Sequence, residues 1–229
     1  MRFGVFTSLT WQTWPGVLDL WQHLQSTGWN LACVSDHLMP NTKEREGAVL
    51  ESWSTLSALA ALIPRMRVGT IVLGNTYRHP ALVAKMAAQV DIISGGRLIL
   101  GLGAGWQRNE HEAYGIPLYT MRERLERLDE ACEVIRSLWT QRRTNFKGRY
   151  YQISDAPLDP KPVQQPHPEL MIGAPANESL CGLSPGMPII GMFGEDRKSL
   201  PARARYSKNT APKSDVMANK SCAQSTWRS

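Results

Sequence analysis

The sequence is poor in cysteine and has no long apolar run. Its four cysteines, Cys33, Cys132, Cys181 and Cys222, lie far apart, without the close pairs that zinc sites and redox dithiols use. We therefore expect buried or incidental thiols in a reducing compartment, and no structural metal. The most apolar helical stretch, TLSALAALI, is much shorter than the ~20 residues that are needed to span a bilayer.

We also expect neither a secretory leader nor a general basic surface. The start, MRFGVFTSLT, has no basic region followed by an apolar block, which is the pattern of a secretory signal. The formal net charge is +6, but residues 1–173 carry 18 Lys and Arg against 16 Asp and Glu, while residues 174–229 carry 8 against 4. Because most of the basic excess belongs to the last quarter, we expect no nucleic-acid partner and no membrane partner. These patterns predict a cytoplasmic protein.

What the sequence does contain is a regular alternation of apolar β-rich stretches with helical stretches, up to about residue 173. The predicted strands are RFGVFTSL, NLACVSDHL, MRVGTIVLGN, RLILGLGAGW and ELMIGA. The predicted helices are WPGVLDLWQHLQSTG, ESWSTLSALAALIPR, HPALVAKMAAQVDIISGG and TMRERLERLDEACEVIRSLW. The alternation indicates an α/β fold with a parallel sheet, which is either a doubly wound sheet or a (β/α)8 barrel. Both architectures place their sites at the carboxyl ends of the strands.

The stretch RLILGLGAGWQRNE, Arg97–Glu110, is at first sight a phosphate-binding glycine loop. A dinucleotide fingerprint needs G-x-G-x-x-G at the first strand, opening directly into a helix. The spacing in this chain is G-x-G-x-G, it follows the fourth strand, and the next helix is expected well downstream. The dinucleotide interpretation therefore fails. Two explanations remain: the glycines let a barrel strand pack and turn, or they let a flat ligand approach where a β-carbon would obstruct it.

Polar and aromatic side chains follow the predicted strands. Asp36 beside His37 could hold and polarise the imidazole for acid/base work near neutral pH, or the pair could be a helix cap next to a surface histidine. Asn75 offers both a donor and an acceptor to a heteroaromatic edge, or it belongs to a turn. Glu110 is equally explained as a first-turn acid of a helix. Trp106 follows the glycines and is expected to line the pocket.

Several of these stretches occur together in one known family. VSDHL, GTIVLGNTYRHPALVAKMAAQVDIISGGRLILGLGAGW, RLERLDEACEVIRSLW and FKGRYYQI with PKPVQ resemble the luciferase-like monooxygenase superfamily, and within it the coenzyme F420-dependent oxidoreductases. The resemblance implies a (β/α)8 TIM barrel that holds coenzyme F420 or FMN at its C-terminal rim. It implies hydride transfer between that cofactor and a small organic substrate, and often a homo-oligomer. The alternatives are an FMN-dependent monooxygenase that uses O2 on the same barrel, and a catalytically inactive fragment.

The resemblance also implies roles for individual residues. His37, oriented by Asp36, is the expected acid/base or electrostatic partner of the substrate. A non-prolyl cis peptide often supports the cofactor ring at the bulge after the third strand. The positions that match the family's cofactor-binding segments are Gly74 and Asn75 at that bulge, and Gly103, Ala104, Gly105, Trp106 and Glu110 after the fourth strand.

After Gly173 the sequence departs from the family's pattern. When the codons of Gly186–Asp196 are read two bases out of register, they permit YADHWNVWG, which resembles the family's next strand, and the residues that follow permit a well-formed helix. We therefore predict a barrel domain of about five β/α units over residues 1–173. Residues 174–229 are predicted to be a frameshifted, poorly ordered tail, and the chain as written to be weakly active or inactive.

Overall fold

The computed structural model describes residues 4–175 and 189–192. The strands of the main sheet are β1 (Gly4–Thr7), β2 (Leu31–Val34), β3 (Arg67–Thr70), β4 (Leu73–Gly74), β5 (Leu98–Gly103), β8 (Glu169–Pro175) and β9 (Ile189–Met192), and β6 (Thr144–Lys147) and β7 (Gln152–Ala156) form a separate antiparallel hairpin. The helices are α1 (Trp14–Ser26), α2 (Ser52–Leu62), α3 (Pro80–Ser94), α4 (Arg108–Tyr114) and α5 (Met121–Thr140).

The main sheet is parallel, with the strand order β1-β2-β3-β5-β8-β9, and β4 pairs with β5 beyond the end of β3. This confirms the predicted α/β alternation, and all five predicted strands occur in order. In the part of the chain that the structure describes, β1 and β9 stand at the two ends of this order. All six residues of β5 are buried, as expected for a strand with neighbours on both sides and helices over one face.

The helix boundaries follow the local signals in the sequence. Thr120 caps α5 by accepting a hydrogen bond from the backbone N–H of Glu123, as the capping spacing predicts. Pro80 opens α3, and Gly95 ends it in the left-handed conformation with φ of 67°. The core lies between the sheet and the helices; the indole N–H of Trp139 on α5 donates to the backbone oxygen of Ala84 on α3 at 2.9 Å.

Three sequence predictions need correction. The third predicted strand is interrupted between β3 and β4, where the Ile71–Val72 peptide is cis. The helix after the glycines begins at Arg108 rather than well downstream, because the seven-residue α4 is too short to show a helical period. The segment Thr144–Ala156, for which the sequence predicts no strand, contains the β6–β7 hairpin.

Most of the predicted tail lies outside the described residues. Of residues 174–229, the structure describes only the end of β8 and the strand β9, which pairs with β8 in parallel register. The frameshift and the disorder therefore remain predictions. Cys33 and Cys132 are buried, and burial raises the pKa of each thiol to about 12; Cys181 and Cys222 lie outside the described residues. None of the described helices is long and apolar enough to cross a membrane.

Candidate active site

His37 lies just beyond the carboxyl end of β2 and is paired with a buried carboxylate. Its Nδ1 is 2.9 Å from Oε1 of Glu110, and its side chain is 23% exposed whereas that of Glu110 is fully buried. A carboxylate only accepts, so Nδ1 of the imidazole carries the hydrogen of this bond. In the neutral ring, Nε2 is then the lone-pair nitrogen. It has no hydrogen-bond partner among the described residues, so it can take a proton from a ligand.

Glu110 is held in its ionised form by three donors. Besides His37, the Tyr77 hydroxyl donates to Oε1 and the backbone N–H of Leu38 donates to Oε2 at 2.8 Å. Burial alone would raise the pKa of Glu110, but the hydrogen bonds from His37, Tyr77 and Leu38 outweigh it and lower the pKa below its usual range. Burial and the neighbouring Glu110 carboxylate both raise the pKa of Tyr77, so the phenol stays protonated as a donor.

Asp36 does not orient His37, contrary to the sequence prediction. Its carboxylate forms an ion pair with Arg78, with Oδ2 2.9 Å from Nη1, and accepts the backbone N–H of Gly74 at 3.0 Å. Arg78 also forms an ion pair with Glu51 at the start of α2, with 2.8 Å between Nη2 and Oε1. Burial raises the pKa of Asp36, and Arg78 and the Gly74 N–H act against it. The Asp36 side chain therefore joins the end of β2 to Gly74 at the end of β4 and, through Arg78, to the start of α2. It points away from its sequence neighbour His37.

Asn75 lies at the carboxyl edge of the sheet, and the nitrogen of its side-chain amide is hydrogen-bonded. Its Nδ2 donates to the Tyr151 hydroxyl at 3.4 Å, and its backbone N–H donates to Gly103 at 2.9 Å. No described residue donates to its Oδ1, so this oxygen can accept from a ligand. The expected non-prolyl cis peptide is present, but at Ile71–Val72 instead of at Gly74 and Asn75.

The glycines at the end of β5, Gly103 and Gly105, are explained by packing of the protein on itself. A β-carbon on Gly103 would lie 2.4 Å from Cγ2 of Val72, and one on Gly105 would lie 2.5 Å from Oγ1 of Thr76. Gly105 also has φ of 78°, which favours glycine. The space that a side chain would need is filled by Val72, between β3 and β4, and by Thr76, just after β4, so close approach of a flat ligand is not what requires these two glycines.

We expect Gly105→Ala to destabilise the protein by about 2–3 kcal/mol, because a left-handed alanine costs about 1 kcal/mol and Thr76 must also move. The matched control is Gly115→Ala, where φ is 66° and no atom lies within 4 Å of the new β-carbon. The control is expected to lose only the conformational part, about 1 kcal/mol. Urea unfolding of both variants measures the difference. Equal losses would contradict a packing role for Gly105.

Trp106 places an exposed ring beside His37, and its backbone N–H has no acceptor among the described residues. Its indole is 57% exposed and meets the His37 ring edge-on, with 5.7 Å between the centroids. The guanidinium of Arg124 donates to the carbonyl oxygen of Gly105. Since the C=O and N–H of a trans peptide point in opposite directions, the Trp106 N–H points away from Arg124. It donates to none of the described residues. Ala104 is half-buried and packs against the core.

The side chains that hold the His37 loop in place could not be identified from the sequence. Tyr77 and Arg78 stand in the GNTYRHP stretch, but nothing in the sequence shows that they reach the acids after other strands. Side chains from in and around α4 also hold three successive carbonyl groups beyond His37. These are Gln107 to Met39 at 2.9 Å, Asn109 to Pro40 at 3.0 Å and Tyr114 to Leu38 at 3.2 Å.

The sequence of this chain matches a known protein family. A family model described as luciferase-like monooxygenase matches residues 1–180. An F420-dependent glucose-6-phosphate dehydrogenase of Amycolatopsis mediterranei is 34% identical over 159 residues, which cover 69% of this chain and 47% of that protein. An FMNH2-dependent dimethylsulfone monooxygenase of Pseudomonas putida is 36% identical over 123 residues, which cover 54% of this chain and 34% of that protein.

A solved structure resembles the described fold. An F420-dependent secondary alcohol dehydrogenase, in complex with an F420-acetone adduct, superposes with a TM-score of 0.69 at 24% identity, covering 76% of this chain and 52% of that one. This likeness establishes the fold and confirms the predicted barrel-type α/β architecture. The chain spans about half the length of several of the relatives that it matches.

Proposed function

Because the chain belongs to the luciferase-like monooxygenase family, we propose that it acts as an oxidoreductase that exchanges a hydride between coenzyme F420 or FMN and a small organic substrate. The observation that carries this proposal is the pairing of His37 with the buried Glu110 at the carboxyl end of β2. The activity and the substrate are proposals, since the chain spans only part of its relatives. We expect the activity to be weak in the chain as written, because the residues after Gly173 depart from the family's pattern. Self-association, which family members often have, is also part of the proposal.

The His37–Glu110 pair suits the proton half of an alcohol oxidation. Nε2 of His37 takes the proton of the substrate hydroxyl while the carbon gives up a hydride, so the alcohol loses the hydride, which carries two electrons and one proton, and a second proton to His37. The imidazolium that forms is stabilised by the ionised Glu110 at 2.9 Å. In the reverse direction, His37 returns the proton to the carbonyl oxygen. When bound, coenzyme F420 or FMN supplies the hydride acceptor or donor.

The rim offers polar groups that suit a heteroaromatic ring. Oδ1 of Asn75 can accept a hydrogen bond, and the N–H of Trp106 can donate one. Both lie at the carboxyl edge of the sheet with His37. We assign Asn75 and the segment Gly103–Trp106 to cofactor binding, with Gly74 as the backbone support that Asp36 holds. In this assignment Glu110 acts through His37 rather than by touching the ring.

The direct test is to add each cofactor separately to the purified apo-protein. We expect saturable quenching of the fluorescence of either coenzyme F420 or FMN, which also identifies the cofactor. Oxygen consumption with reduced FMN would favour the monooxygenase alternative, whereas substrate-dependent reduction of coenzyme F420 favours the dehydrogenase. Binding of neither cofactor would contradict the proposal and leave an inactive fragment.

We expect His37→Ala to lower turnover on the order of 100- to 10,000-fold while changing cofactor affinity only about twofold, because it removes the proton acceptor and leaves the ring contacts. His23→Ala, at an exposed position of α1, is the matched control and should leave both quantities unchanged. Turnover is measured at saturating cofactor, and affinity by fluorescence titration. An equal loss of turnover and affinity would mean that His37 only shapes the pocket.

A further inference from the structure

Trp11 is held in an unusual backbone conformation just beyond β1. Its φ is 56°, in the left-handed region that large side chains rarely adopt. The residue is fixed by its neighbours: its N–H donates to the backbone oxygen of Ala48 at 2.7 Å, and the N–H of Leu50 donates to Leu9 at 3.2 Å. A bridge between Thr10 and Val49 lies between these two bonds. Trp11 is therefore positioned by the loop between β2 and α2, and several contacts with that loop together fix its backbone conformation.

The loop is shaped around the indole without burying it. A β-carbon on Gly47 would lie 2.4 Å from Nε1 of Trp11 and 3.0 Å from Pro40, so only glycine fits there. The Trp11 side chain nevertheless remains 65% exposed. Because the Trp11 side chain buries little apolar surface, a gain in folding stability does not explain its strained backbone conformation. Observed strain of this kind is typical of functional positions.

The order of the strands places Trp11 on one side of His37. In the sheet, β2 and β3 lie between β1 and β5, and loops at the carboxyl ends of parallel strands share one edge. Trp11 follows β1 and Trp106 follows β5, and both indoles are exposed. His37, which follows β2, is thus flanked along this edge by two exposed indoles.

The charges near Trp11 favour an uncharged ligand. In the loop between β2 and α2, the stretch KERE, Lys43–Glu46, carries two basic and two acidic residues, so their charges cancel. The other two acids of the loop, Asp36 and Glu51, are both paired with Arg78. A flat apolar surface beside balanced charges suits the hydrocarbon part of a small organic molecule better than an anion or a cation.

We propose that Trp11 is a specificity-determining residue that contacts the substrate. Its indole forms the wall on the β1 side of the cleft and holds the apolar part of an uncharged organic substrate, whose reacting group lies at His37. The placement of the reacting group rests on the proposed function, whereas the apolar contact at Trp11 does not depend on hydride transfer.

The test uses the full chain without cofactor and a series of unbranched 2-alkanols, from 2-propanol to 2-octanol, with binding measured by ligand-observed NMR. Trp11→Gly removes the indole and suits a φ of 56°, so the variant should keep the wild-type unfolding midpoint. For the wild type we expect the dissociation constant to fall about three- to fourfold for each added methylene. For Trp11→Gly we expect less than about twofold per methylene, and about tenfold weaker binding of 2-octanol.

Two further variants make the comparison specific. Trp11→Phe keeps a flat apolar ring and should retain most of the chain-length dependence. Trp29→Ala removes a 37%-exposed indole that precedes β2, at the opposite edge of the sheet, and should behave as wild type. Equal alkanol affinities in the wild type and Trp11→Gly would overturn the inference, as would failure of the wild type to bind any alkanol.

The proposed function and the role of Trp11 fail in different ways. If neither cofactor binds but the alkanol affinity depends on Trp11, the proposed function is wrong and the substrate-contacting role stands. If His37-dependent turnover is found but Trp11→Gly binds the whole series as the wild type does, the role of Trp11 is wrong and the proposed function stands. A change in sedimentation coefficient for Trp11→Gly, without a change in alkanol affinity, would make Trp11 a subunit contact and overturn the inference.

Discussion

Glu110→Gln is expected to lower turnover on the order of 100-fold or more, while cofactor affinity changes only about twofold. The amide keeps the size of the carboxylate but has only one accepting oxygen. It therefore cannot accept from the His37 ring, the Tyr77 hydroxyl and the Leu38 N–H together, as Glu110 does. The variant also removes the negative charge that stabilises the protonated imidazole. Steady-state kinetics and cofactor titration separate the two effects.

The same substitution is expected to have a pH-dependent effect on stability. The pKa of Glu110 is lower in the folded chain than its usual value, so its ionised form stabilises the fold above the unfolded pKa, and this contribution is lost as pH falls through the folded pKa. The difference in unfolding free energy between wild type and Glu110→Gln should be largest near pH 7 and should shrink below about pH 4. Urea unfolding at several pH values measures it.

Glu112→Gln provides the control on the same helix. The Glu112 side chain is 53% exposed, so we expect its replacement to change turnover and stability little. A Glu110→Gln variant that matched this control in turnover would contradict the role of Glu110 in holding His37. A stability difference that stayed constant from pH 7 to pH 3 would contradict its ionisation in the folded chain.

Arg97→Met is expected to destabilise the fold by about 2–4 kcal/mol, because it leaves several backbone oxygens without a charged donor. The Arg97 guanidinium donates to Ser94 and Ile63 at 2.6 Å each, to Ala60 at 2.8 Å, and to Met66. It thereby joins the C-terminal ends of α2 and α3 at the start of β5. Burial lowers the pKa of Arg97, but not enough to neutralise a guanidinium.

Two comparisons make the Arg97 experiment specific. Arg65→Met changes an exposed residue three positions after α2 and is expected to be nearly neutral. Arg97→Lys keeps the charge but not the planar fork, so it should recover only part of the lost stability. Chemical denaturation measures all three. If Arg97→Met unfolds at the same urea concentration as the control, water replaces the hydrogen bonds of the guanidinium without loss of stability. The claim that Arg97 stabilises the junction of α2 and α3 would then be wrong.

The local signals in the sequence predicted most elements, because they act over a few residues. The entry of α3 at Pro80, its end at Gly95 and the cap of α5 at Thr120 all depend on backbone groups within one helical turn. The short helix α4 was missed because seven residues give too few repeats of an apolar period. The β6–β7 hairpin could not be predicted because its strands are short and largely exposed.

The sequence by itself determined which side chains stand at the carboxyl edge of the sheet, since all strands of a parallel sheet run in the same direction and their carboxyl ends share one edge. Thus His37, Asn75, Trp106 and Glu110 could be named as candidates without coordinates. Only the tertiary structure decided how they pair. Adjacent residues at a strand end point in different directions, so Asp36 turns to Arg78 while His37 meets a carboxylate 73 residues away. The conformation of Trp11 was likewise decided by contacts with a distant loop, which no local pattern encodes.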